Sequence, residues 1–580
     1  MKISGFRCIN IGAYCGVPLR CCYERRVGEM VRRSLALLLP LVLLGSLGFS
    51  AGHAAGTPDE QYVPIMTAPI ANQVGVQFLD NQFTNIAGYL SAAPSASAQP
   101  NLCTSYDDAI CKSGDTMAYS AHLSGCLDAV AVDCVSGIFA IDANGARMEG
   151  KFVKGMPDQP SNLYQGNASL GILPPGVDSL WSLPGVANGG GTTNYLVVAN
   201  VFGMVNKKSG ELLAQPVPVI NFNAGIYPVT IVQGAFKPSY VSKLSSGTLG
   251  YFAPAGVGVE SCAGVSTTEC ARREAFPKDV TFGLTIRLSQ PMKGWLHGRI
   301  QNPAIVYAPS ASGATLTIQA LPVSVPIVAG WTDRANLPAK IPGTYDGSLA
   351  PGQFMPAWAY GDAMLSLLQD WLPLIQNRAQ ANPSEWEVRN LSSSEMAKAN
   401  SCITNTTTLA GFVSTNSTAY TAGPPEFNSE TQSLDYKLAS PHFMSNGDVF
   451  KGVYTLAIKS DVARCIYHFN TAPIKATISV TDESGQSSVA VESMSEHDGW
   501  IYLSASNFEF SSPTVHVKLA QDAPIVTTIV RPLSTTSPPA APTPIVKPTG
   551  KKYAITCAKG KFIKKVTALS PQCPNGYKKR

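Results

Sequence analysis

The sequence is poor in charged residues and lacks the motifs of several common site types. Only 14% of its 580 residues are charged, and it contains no H-E-x-x-H helix, EF-hand loop, P-loop or dinucleotide-binding glycine pattern. These absences remove the sequence basis for a zincin, a calcium sensor or a nucleotide-binding enzyme. The low charge also argues against helical bundles, whereas 50 glycines and 43 prolines favour short strands joined by many turns.

Histidines and clustered carboxylates are equally sparse. Asp107, Asp108 and Asp115 flank a short cysteine loop and are candidates for Ca²⁺, but the alternating ligand pattern is missing, which favours a solvated loop. The six histidines beyond the N-terminal segment stand singly, with no two at the spacing of metal ligands: His122, His297, His442, His468, His497 and His516. We therefore expect no cofactor, no metal and no catalytic residues.

Three tryptophans form another candidate cluster. Trp295, Trp331 and Trp358 offer flat apolar faces that suit a sugar or another protein. Because tryptophan more often packs in a core or at its edge, the sequence favours a structural role for them.

The apolar stretch Met30–Ala55 has the features of an export segment. Arg32 and Arg33 form its positive flank, Leu35–Phe49 is its apolar core, and small residues precede a predicted cleavage after Ala54 or Ala55. A retained signal anchor is the alternative, since less apolar residues lengthen the apolar run toward the length that spans a bilayer. Residues 1–29 are expected to be an over-extended start, because a signal peptide begins at its charged flank.

Ten cysteines remain after the export segment, an even number that suggests disulfides. Three successive pairs share the spacing C-x7-C, which can close within the Cα separation that a disulfide needs. Cysteine ligands of zinc are typically separated by only two to four residues, so the C-x7-C spacing favours disulfides over a metal site. Disulfides in turn predict an oxidising compartment. Sequential pairing gives five candidate bridges: Cys103 with Cys111, Cys126 with Cys134, Cys262 with Cys270, Cys402 with Cys465, and Cys557 with Cys573.

The pattern along the chain predicts a mainly β protein built of β-sandwich domains, with a short helical insertion and a small disulfide-closed basic hairpin at the C-terminus. Residues 56–345 are expected to form one large or two fused β-rich domains, and 346–400 a helical connecting segment. Within that segment Met364, Leu367, Leu368, Trp371 and Ile375 recur at helical spacing. Residues 401–530 are expected to form an immunoglobulin-like sandwich, 531–550 a Pro/Thr-rich linker, and 551–580 a basic, cysteine-containing tail.

Runs of β-branched and aromatic residues bounded by turn residues mark the individual strands. Asp142–Gly145 is expected to turn a hairpin spanning Gly137–Phe152. The strands predicted in the first part are Tyr195–Phe202, Val217–Phe222, Val229–Val232, Val280–Leu288, Ala304–Tyr307 and Ala314–Ala320. The seven predicted for the sandwich are Asp435–Ala439, Val453–Lys459, Arg464–Phe469, Lys475–Val480, Ser487–Ser493, Trp500–Ala505 and Thr514–Leu519.

The charge is distributed unevenly along the chain. Seven basic and two acidic residues give residues 1–33 a net charge of +5, and ten basic residues with no acid give residues 547–580 a charge of +10. Since the whole chain carries +5, the remaining body carries −10. The predicted contacts to an anionic surface are Lys551, Lys552, Lys559, Lys561, Lys564, Lys565, Lys578, Lys579 and Arg580.

The tail AITCAKGKFIKKVTALSPQCPNGYKKR resembles a basic C-terminal module, with the pattern ITC-x-KG…KKVT…CP-x-GY, of exported actinobacterial proteins. Residues Ala463–Leu519 likewise resemble a domain of uncharacterised secreted actinobacterial proteins. The resemblance covers about the last quarter of the chain. It implies a cell-surface or extracellular location and carries no catalytic positions to transfer.

These features predict an exported, non-enzymatic protein of the cell envelope, structural or adhesive, retained by its basic tail on an anionic wall polymer or membrane surface. Export excludes nucleic acid as a partner. One alternative is a secreted glycan-directed hydrolase or carbohydrate-binding protein. Another is a membrane-anchored surface protein whose N-terminal apolar segment is not cleaved. The sequence leaves the oligomeric state open.

Overall fold

The computed structural model describes residues 58–62, 72–79, 86–95, 97–207, 217–310, 313–336, 354–358, 360–481, 487–488, 491–510, 513–521, 553–560, 562–568, 571–574 and 576–580. The predicted export segment 30–55, the residues before it and the linker 531–550 lie outside these ranges. The chain divides into two compact units, Met1–Asp522 and Ala523–Arg580. Strands make up 52% and helices 11%, which confirms the mainly β class.

The strands up to the middle of the chain are β1 (Gln73–Leu79), β2 (Tyr89–Ala93), β3 (Asn101–Leu102), β4 (Thr116–His122), β5 (Cys134–Ile141), β6 (Arg147–Glu149), β7 (Lys151–Met156), β8 (Asp178–Ser182), β9 (Asn194–Asn206), β10 (Val219–Gln233), β11 (Phe236–Lys237), β12 (Tyr240–Lys243), β13 (Leu249–Phe252), β14 (Ala255–Gly256), β15 (Cys262–Val265), β16 (Glu269–Arg273), β17 (Thr281–Leu288) and β18 (Gly294–Ser310).

The remaining strands are β19 (Gly313–Ser324), β20 (Ala329–Asp333), β21 (Phe354–Trp358), β22 (Ser384–Glu385), β23 (Glu387–Asn390), β24 (Leu409–Thr415), β25 (Ala419–Tyr420), β26 (Glu426–Asn428), β27 (Ser433–Ala439), β28 (Lys451–Lys459), β29 (Ile474–Thr481), β30 (Ser487–Ser488), β31 (Val491–His497), β32 (Trp500–Glu509), β33 (Thr514–Gln521), β34 (Tyr553–Lys559), β35 (Phe562–Ala568) and β36 (Lys578–Lys579).

The α-helices of the described residues are short. They are α1 (Ala109–Ser113), α2 (Asp362–Trp371), α3 (Ser401–Thr404) and α4 (Ser460–Tyr467). Single 3₁₀ turns lie at Asp59–Gln61, Ala168–Leu170, Val259–Ser261, Arg334–Asn336, Leu372–Ile375 and Glu395–Lys398. None of the helices in the described part of the chain is both long and apolar enough to cross a bilayer.

A continuous run of ten strands forms the main sheet of the first unit. Its hydrogen-bonded neighbours, in order, are β2, β4, β9, β10, β23, β18, β24, β28, β32 and β31. All of these pairings are antiparallel except that of β18 with β24. A second antiparallel run connects β6, β5, β17, β19 and β18.

Strand β18 belongs to both runs because it bends in the middle. Its first residues pair with β23 on one side and β24 on the other, and its residues from Ile300 onward pair with β19. The register shifts between Gln301 and Ala304, and Asn302 has a positive φ of 50°. Pro303 has no backbone N–H for the ladder, so a bulge at this point is the physical consequence of the Asn-Pro pair.

The C-terminal part of the first unit is a two-layer β-sandwich. One layer contains β25, β27, β33, β29 and β30, with β26 also paired to β27. The other layer is the β24–β28–β32 end of the main sheet. The buried residues Tyr436, Ile478 and Val517 of the first layer belong to the same apolar core as Leu456 and Leu503 of the second.

Several boundaries differ from the predictions for this part. The predicted strand Arg464–Phe469 is helix α4, whose buried residues Val462, Ala463, Ile466 and Tyr467 have helical spacing. The predicted domain boundary at residue 400 does not coincide with a break, because β24 pairs with β18. Within the predicted helical segment 346–400, helix α2 begins only at Asp362, and Phe354–Trp358 forms strand β21 instead.

Other sequence predictions are confirmed with small changes. The predicted strands Val217–Phe222 and Val229–Val232 form parts of the single long strand β10. The hairpin turn joins β5 to β6, and only Gly145 of its residues has a positive φ. Helix α2 packs on the flank of β1, where Leu367, Leu368 and Trp371 share a core with Val76.

The five disulfides follow the sequential pairing. Their Cα–Cα distances are 6.2 Å for Cys103–Cys111, 5.0 Å for Cys126–Cys134, 5.6 Å for Cys262–Cys270, 5.8 Å for Cys402–Cys465 and 5.7 Å for Cys557–Cys573. The Cys402–Cys465 bond connects α3 to α4, over a sequence separation of 63 residues. Such a set of bonds is typical of an oxidising compartment.

A buried polar network stabilises the junction of β18, β23 and β24. Arg389 makes a bidentate ion pair with Glu395, with nitrogen–oxygen distances of 2.7 and 2.9 Å. Arg299 donates to the carbonyl oxygens of Thr415 at 2.9 Å and Ser417 at 2.7 Å. Burial by itself would raise the pKa of Glu395, but Arg389 and the hydrogen bonds from Ser392 together lower it by more, so this carboxylate stays charged.

The ring of Tyr420 lies between two groups of this network. The imidazole of His297 stacks on it with a centroid distance of 3.9 Å, and the guanidinium of Arg299 lies 4.7 Å from the ring centre. Burial and then the charges of Arg389 and Arg299 hold the pKa of His297 well below its ordinary value. His297 is therefore neutral, and the network carries its charge on the arginines and Glu395.

Replacing Arg389 by Met should destabilise the first unit by about 3–5 kcal/mol, because it leaves the Glu395 carboxylate buried without its counter-charge. The measurement is the unfolding midpoint in urea, followed by tryptophan fluorescence. The double variant Arg389→Met/Glu395→Met should recover part of the loss. The matched control is Arg147→Met. It breaks the ion pair between Arg147 and Glu149, whose side chains are 48% and 66% exposed, and should cost less than about 1 kcal/mol of stability.

An equal loss of stability in Arg389→Met and Arg147→Met would contradict a stabilising role for the buried ion pair.

Candidate functional site

The basic tail forms a small three-stranded antiparallel sheet of its own. Strand β34 lies between β35 and β36, and the Cys557–Cys573 disulfide closes the loop from the middle strand to the segment that precedes β36. Cys557 is fully buried, whereas Ile563 is 60% exposed. The predicted disulfide-closed hairpin is therefore confirmed, and β36 adds a third strand that the sequence did not indicate.

The strand register places cations on both faces of this sheet. Lys564 of β35 and Lys579 of β36 both lie opposite Cys557, so the three residues share one face. Lys565 lies opposite Thr556, and Lys578 opposite Ala558, which are on the other face. A positive surface therefore surrounds the module instead of forming one stripe.

Six of the nine predicted contact residues are described, and all six are exposed: Lys559, Lys564, Lys565, Lys578, Lys579 and Arg580. Lys551, Lys552 and Lys561 lie outside the described residues. No Asp or Glu occurs in residues 551–580, so these nine cations have no neutralising acid within the module. The arrangement suits attraction to a dense anionic surface.

The carboxylates of the first cysteine loop are not arranged around a shared point. Asp108 accepts hydrogen bonds from the backbone N–H and hydroxyl of Thr104 and from Ser105, which orders the turn before α1 and lowers the pKa of Asp108. Asp107 lies 3.8 Å from Lys112 instead. No group of three metal-ligating side chains occurs among the residues that the structure describes.

The structure describes the side chains of two of the three candidate tryptophans, Trp295 and Trp331. Trp295 is only 1% exposed and belongs to the sandwich core, so for this residue core packing is the correct reading. Trp331 on β20 is 43% exposed. The side chain of Trp358 on β21 lies outside the described ones.

The structure pairs two buried residues that no sequence motif connects, His122 and Asp178. The imidazole Nδ1 lies 2.6 Å from the Asp178 carboxylate, and Nε2 lies 2.7 Å from the carbonyl oxygen of Ile86. Because a carbonyl oxygen can only accept, Nε2 carries a proton. Burial lowers the pKa of His122, but Asp178 and the Ile86 carbonyl raise it by more, so the pKa lies above its ordinary value.

Both ring nitrogens of His122 are thus occupied by acceptors, which prevents the imidazole from acting as a general base. The pair instead connects three parts of the fold: the segment before β2, strand β4 and strand β8. The 56 residues between His122 and Asp178 explain why no sequence motif indicated the contact.

The raised pKa of His122 makes stability depend on pH. The unfolded chain titrates near pH 6.5 at this residue, so the stabilisation is complete below about that pH and is lost as the pH rises through the higher folded-state pKa. We expect the unfolding midpoint to fall with rising pH in this window. Asp178→Asn should flatten that slope, and His497→Gln, at an exposed histidine, should leave it unchanged. A slope that persists in Asp178→Asn would contradict the prediction.

A cleft of about 440 Å³ opens beside β28, β31 and β32, and we call it the serine-lined cleft. It is lined by Gln301, Asn302, Pro303, Ala304, Val453, Thr455, Ser493, Ser495, His497, Tyr502, Leu503, Ser504, Ala505 and Ser506. This lining contains no Asp or Glu, whereas glycoside hydrolysis generally requires a pair of carboxylates. The alternative of a glycan hydrolase therefore gains no support from this cleft.

Comparison of the chain with family models, with curated proteins and with solved structures finds no match. The resemblance of the tail and of residues Ala463–Leu519 to exported actinobacterial proteins stays a prediction. Function is therefore inferred from the geometry and charge of this chain.

Proposed function

We propose that the protein is an exported, non-enzymatic component of the cell envelope, structural or adhesive, which its basic C-terminal module retains on an anionic surface. The observation that carries the proposal is the charge of residues 551–580, which hold nine cations and no acid on a disulfide-closed sheet. The export segment predicted at Met30–Ala55 and the five disulfides support a location outside the cytoplasm.

The separation of the module from the body supports a retention role. The module belongs to the second compact unit, and the predicted Pro/Thr-rich linker 531–550 precedes it. The body carries a net charge of −10 by sequence, so attraction to an anionic surface depends on the tail. A phosphate-rich wall polymer and an anionic lipid surface share the chemistry that such a module recognises.

Neutralising the six described cations should abolish retention. Each basic residue near an anionic surface contributes about 1 kcal/mol, so replacing Lys559, Lys564, Lys565, Lys578, Lys579 and Arg580 by Gln should weaken binding more than about 100-fold. The measurement is sedimentation of the purified chain with phosphatidylglycerol vesicles and, separately, affinity for poly(glycerol phosphate). Binding should also fall steeply toward 1 M salt, where the Debye length is about 3 Å.

The matched control replaces six exposed lysines of the body by Gln: Lys151, Lys243, Lys278, Lys398, Lys437 and Lys518. This variant loses the same charge but keeps the module, so it should bind like the unaltered chain. A preference for one probe identifies the anionic partner as polymer or lipid. Failure to bind either probe at low salt, or equal loss in both six-residue variants, would overturn the proposal.

A further inference from the structure

The serine-lined cleft lies between a flat sheet face and the bent arm of β18. Its floor is formed by one face of β28, β32 and β31, the last three strands of the main sheet. Its wall is the β18 bulge at Gln301–Ala304. The phenol oxygen of Tyr502 lies 3.4 Å from the backbone nitrogen of Ile305, so the N–H of β18 donates to floor strand β32. The cleft is therefore a built concavity, with its floor and wall connected.

The floor is a patch of hydroxyl groups. Ser493 of β31 lies opposite Ser504 of β32, which in turn lies opposite Thr455 of β28, so the three residues form a row across the sheet. The hydroxyl oxygens of Ser493 and Ser504 are 2.5 Å apart. Ser495 and Ser506 extend the patch on either side, and the amides of Gln301 and Asn302 face it from the wall.

The hydroxyl of Thr455 is buried without a hydrogen-bond partner. Thr455 is only 2% exposed, and its Oγ1 contacts no donor or acceptor among the residues that the structure describes. An unsatisfied buried hydroxyl costs about 1–3 kcal/mol, so such groups are uncommon in folded proteins. Because Thr455 lines the cleft, a ligand that reaches this hydroxyl would supply the partner that it lacks among the described residues.

Two rings supply the apolar part of the lining. The imidazole of His497 stacks on the ring of Tyr502 at a centroid distance of 4.7 Å, and Val453 and Pro303 line the same cleft. Together, hydroxyls, amides and ring faces suit a ligand that is rich in hydroxyls yet has apolar C–H patches. A sugar ring has this combination of features.

The composition of the lining also defines the charge of the ligand. No Asp, Glu, Lys or Arg is among the lining residues, so a charged group would be desolvated there without a counter-charge. The volume of about 440 Å³ lies within the range of roughly 300–1,000 Å³ for small-molecule sites.

We propose that the serine-lined cleft binds a neutral glycan segment, with Thr455, Ser493, Ser495 and Ser504 as hydrogen-bonding groups and Tyr502 as the stacking ring. This binding site is separate from the basic module, and it does not depend on retention by the tail. Without a pair of carboxylates the cleft holds the glycan and does not cleave it.

The test is titration of the purified full chain with maltotriose, cellotriose and chitotriose, followed by isothermal calorimetry. Thr455→Val removes the hydroxyl and keeps the shape, so we expect binding to weaken about 3- to 10-fold while the unfolding midpoint is unchanged or higher. Ser495→Trp places a large side chain in the cleft and should weaken binding more than tenfold.

Thr477→Trp is the matched control, because Thr477 is an exposed strand residue on β29 and is not part of the lining. It should bind like the unaltered chain. The proposal would be overturned if neither Thr455→Val nor Ser495→Trp weakened binding. It would also be overturned if none of the three trisaccharides bound at a concentration of about 10 mM. A preference for polygalacturonate over the neutral sugars would overturn it as well. The tail variant with six cations replaced by Gln should keep full affinity for the trisaccharide, which separates this proposal from retention.

Discussion

The backbone hydrogen bonding of β18 is the constraint on which the rest of the first unit depends. This strand pairs on both sides through its first residues and then leaves the main sheet to pair with β19. It therefore joins two sheets that would otherwise have no shared strand among those described. The bend requires a local break in the ladder, which Asn302 and Pro303 supply. The buried groups of His297 and Arg299 lie on the half of β18 that stays in the main sheet.

Charge is used in two different ways in this chain. In the body, Arg389 and Glu395 are buried and neutralise each other, so removing either one alone leaves an uncompensated charge in the interior. In the tail, the six described cations are exposed, and residues 551–580 contain no acid. The bend of β18, which follows Arg299 in the chain, provides the wall of the serine-lined cleft. The body thus combines a charged interior junction with an uncharged binding surface.

Local patterns in the sequence were enough to find the fold class and most strands. Alternating strands such as β17, β19 and β33 were predicted because their β-branched residues repeat with a period of two. The sequence predicts a strand at Arg464–Phe469 because Ile466 and Tyr467 favour strands. The prediction is wrong because Val462, Ala463 and Ile466 have the spacing of a buried helix face, which forms α4. Long strands were divided wrongly at turn-forming residues such as Pro228, which β10 accommodates within one strand.

The candidate sites differ in how much of them the sequence contained. The tail is contiguous, so its charge and its hairpin were both evident from residues 551–580. The cleft gathers residues 301–304, 453–455 and 493–506, and the pairing that unites them is a property of the sheet. A signal was present in the alternation of Ser493 with Ser495 and of Ser504 with Ser506. It could not be read as a site without knowing that β31 and β32 are neighbours.

The pairing of β18 with β24 has a consequence for how the chain reaches its native state. In the chain, 98 residues separate the end of β18 from the start of β24, and β28 and β32 come later still. Until then β18 has no permanent neighbour on that side, and its open edge could pair with another chain. Contacts between such distant segments also slow folding. The edge of β18 that faces β24 therefore stays open until the strands of the sandwich have been made.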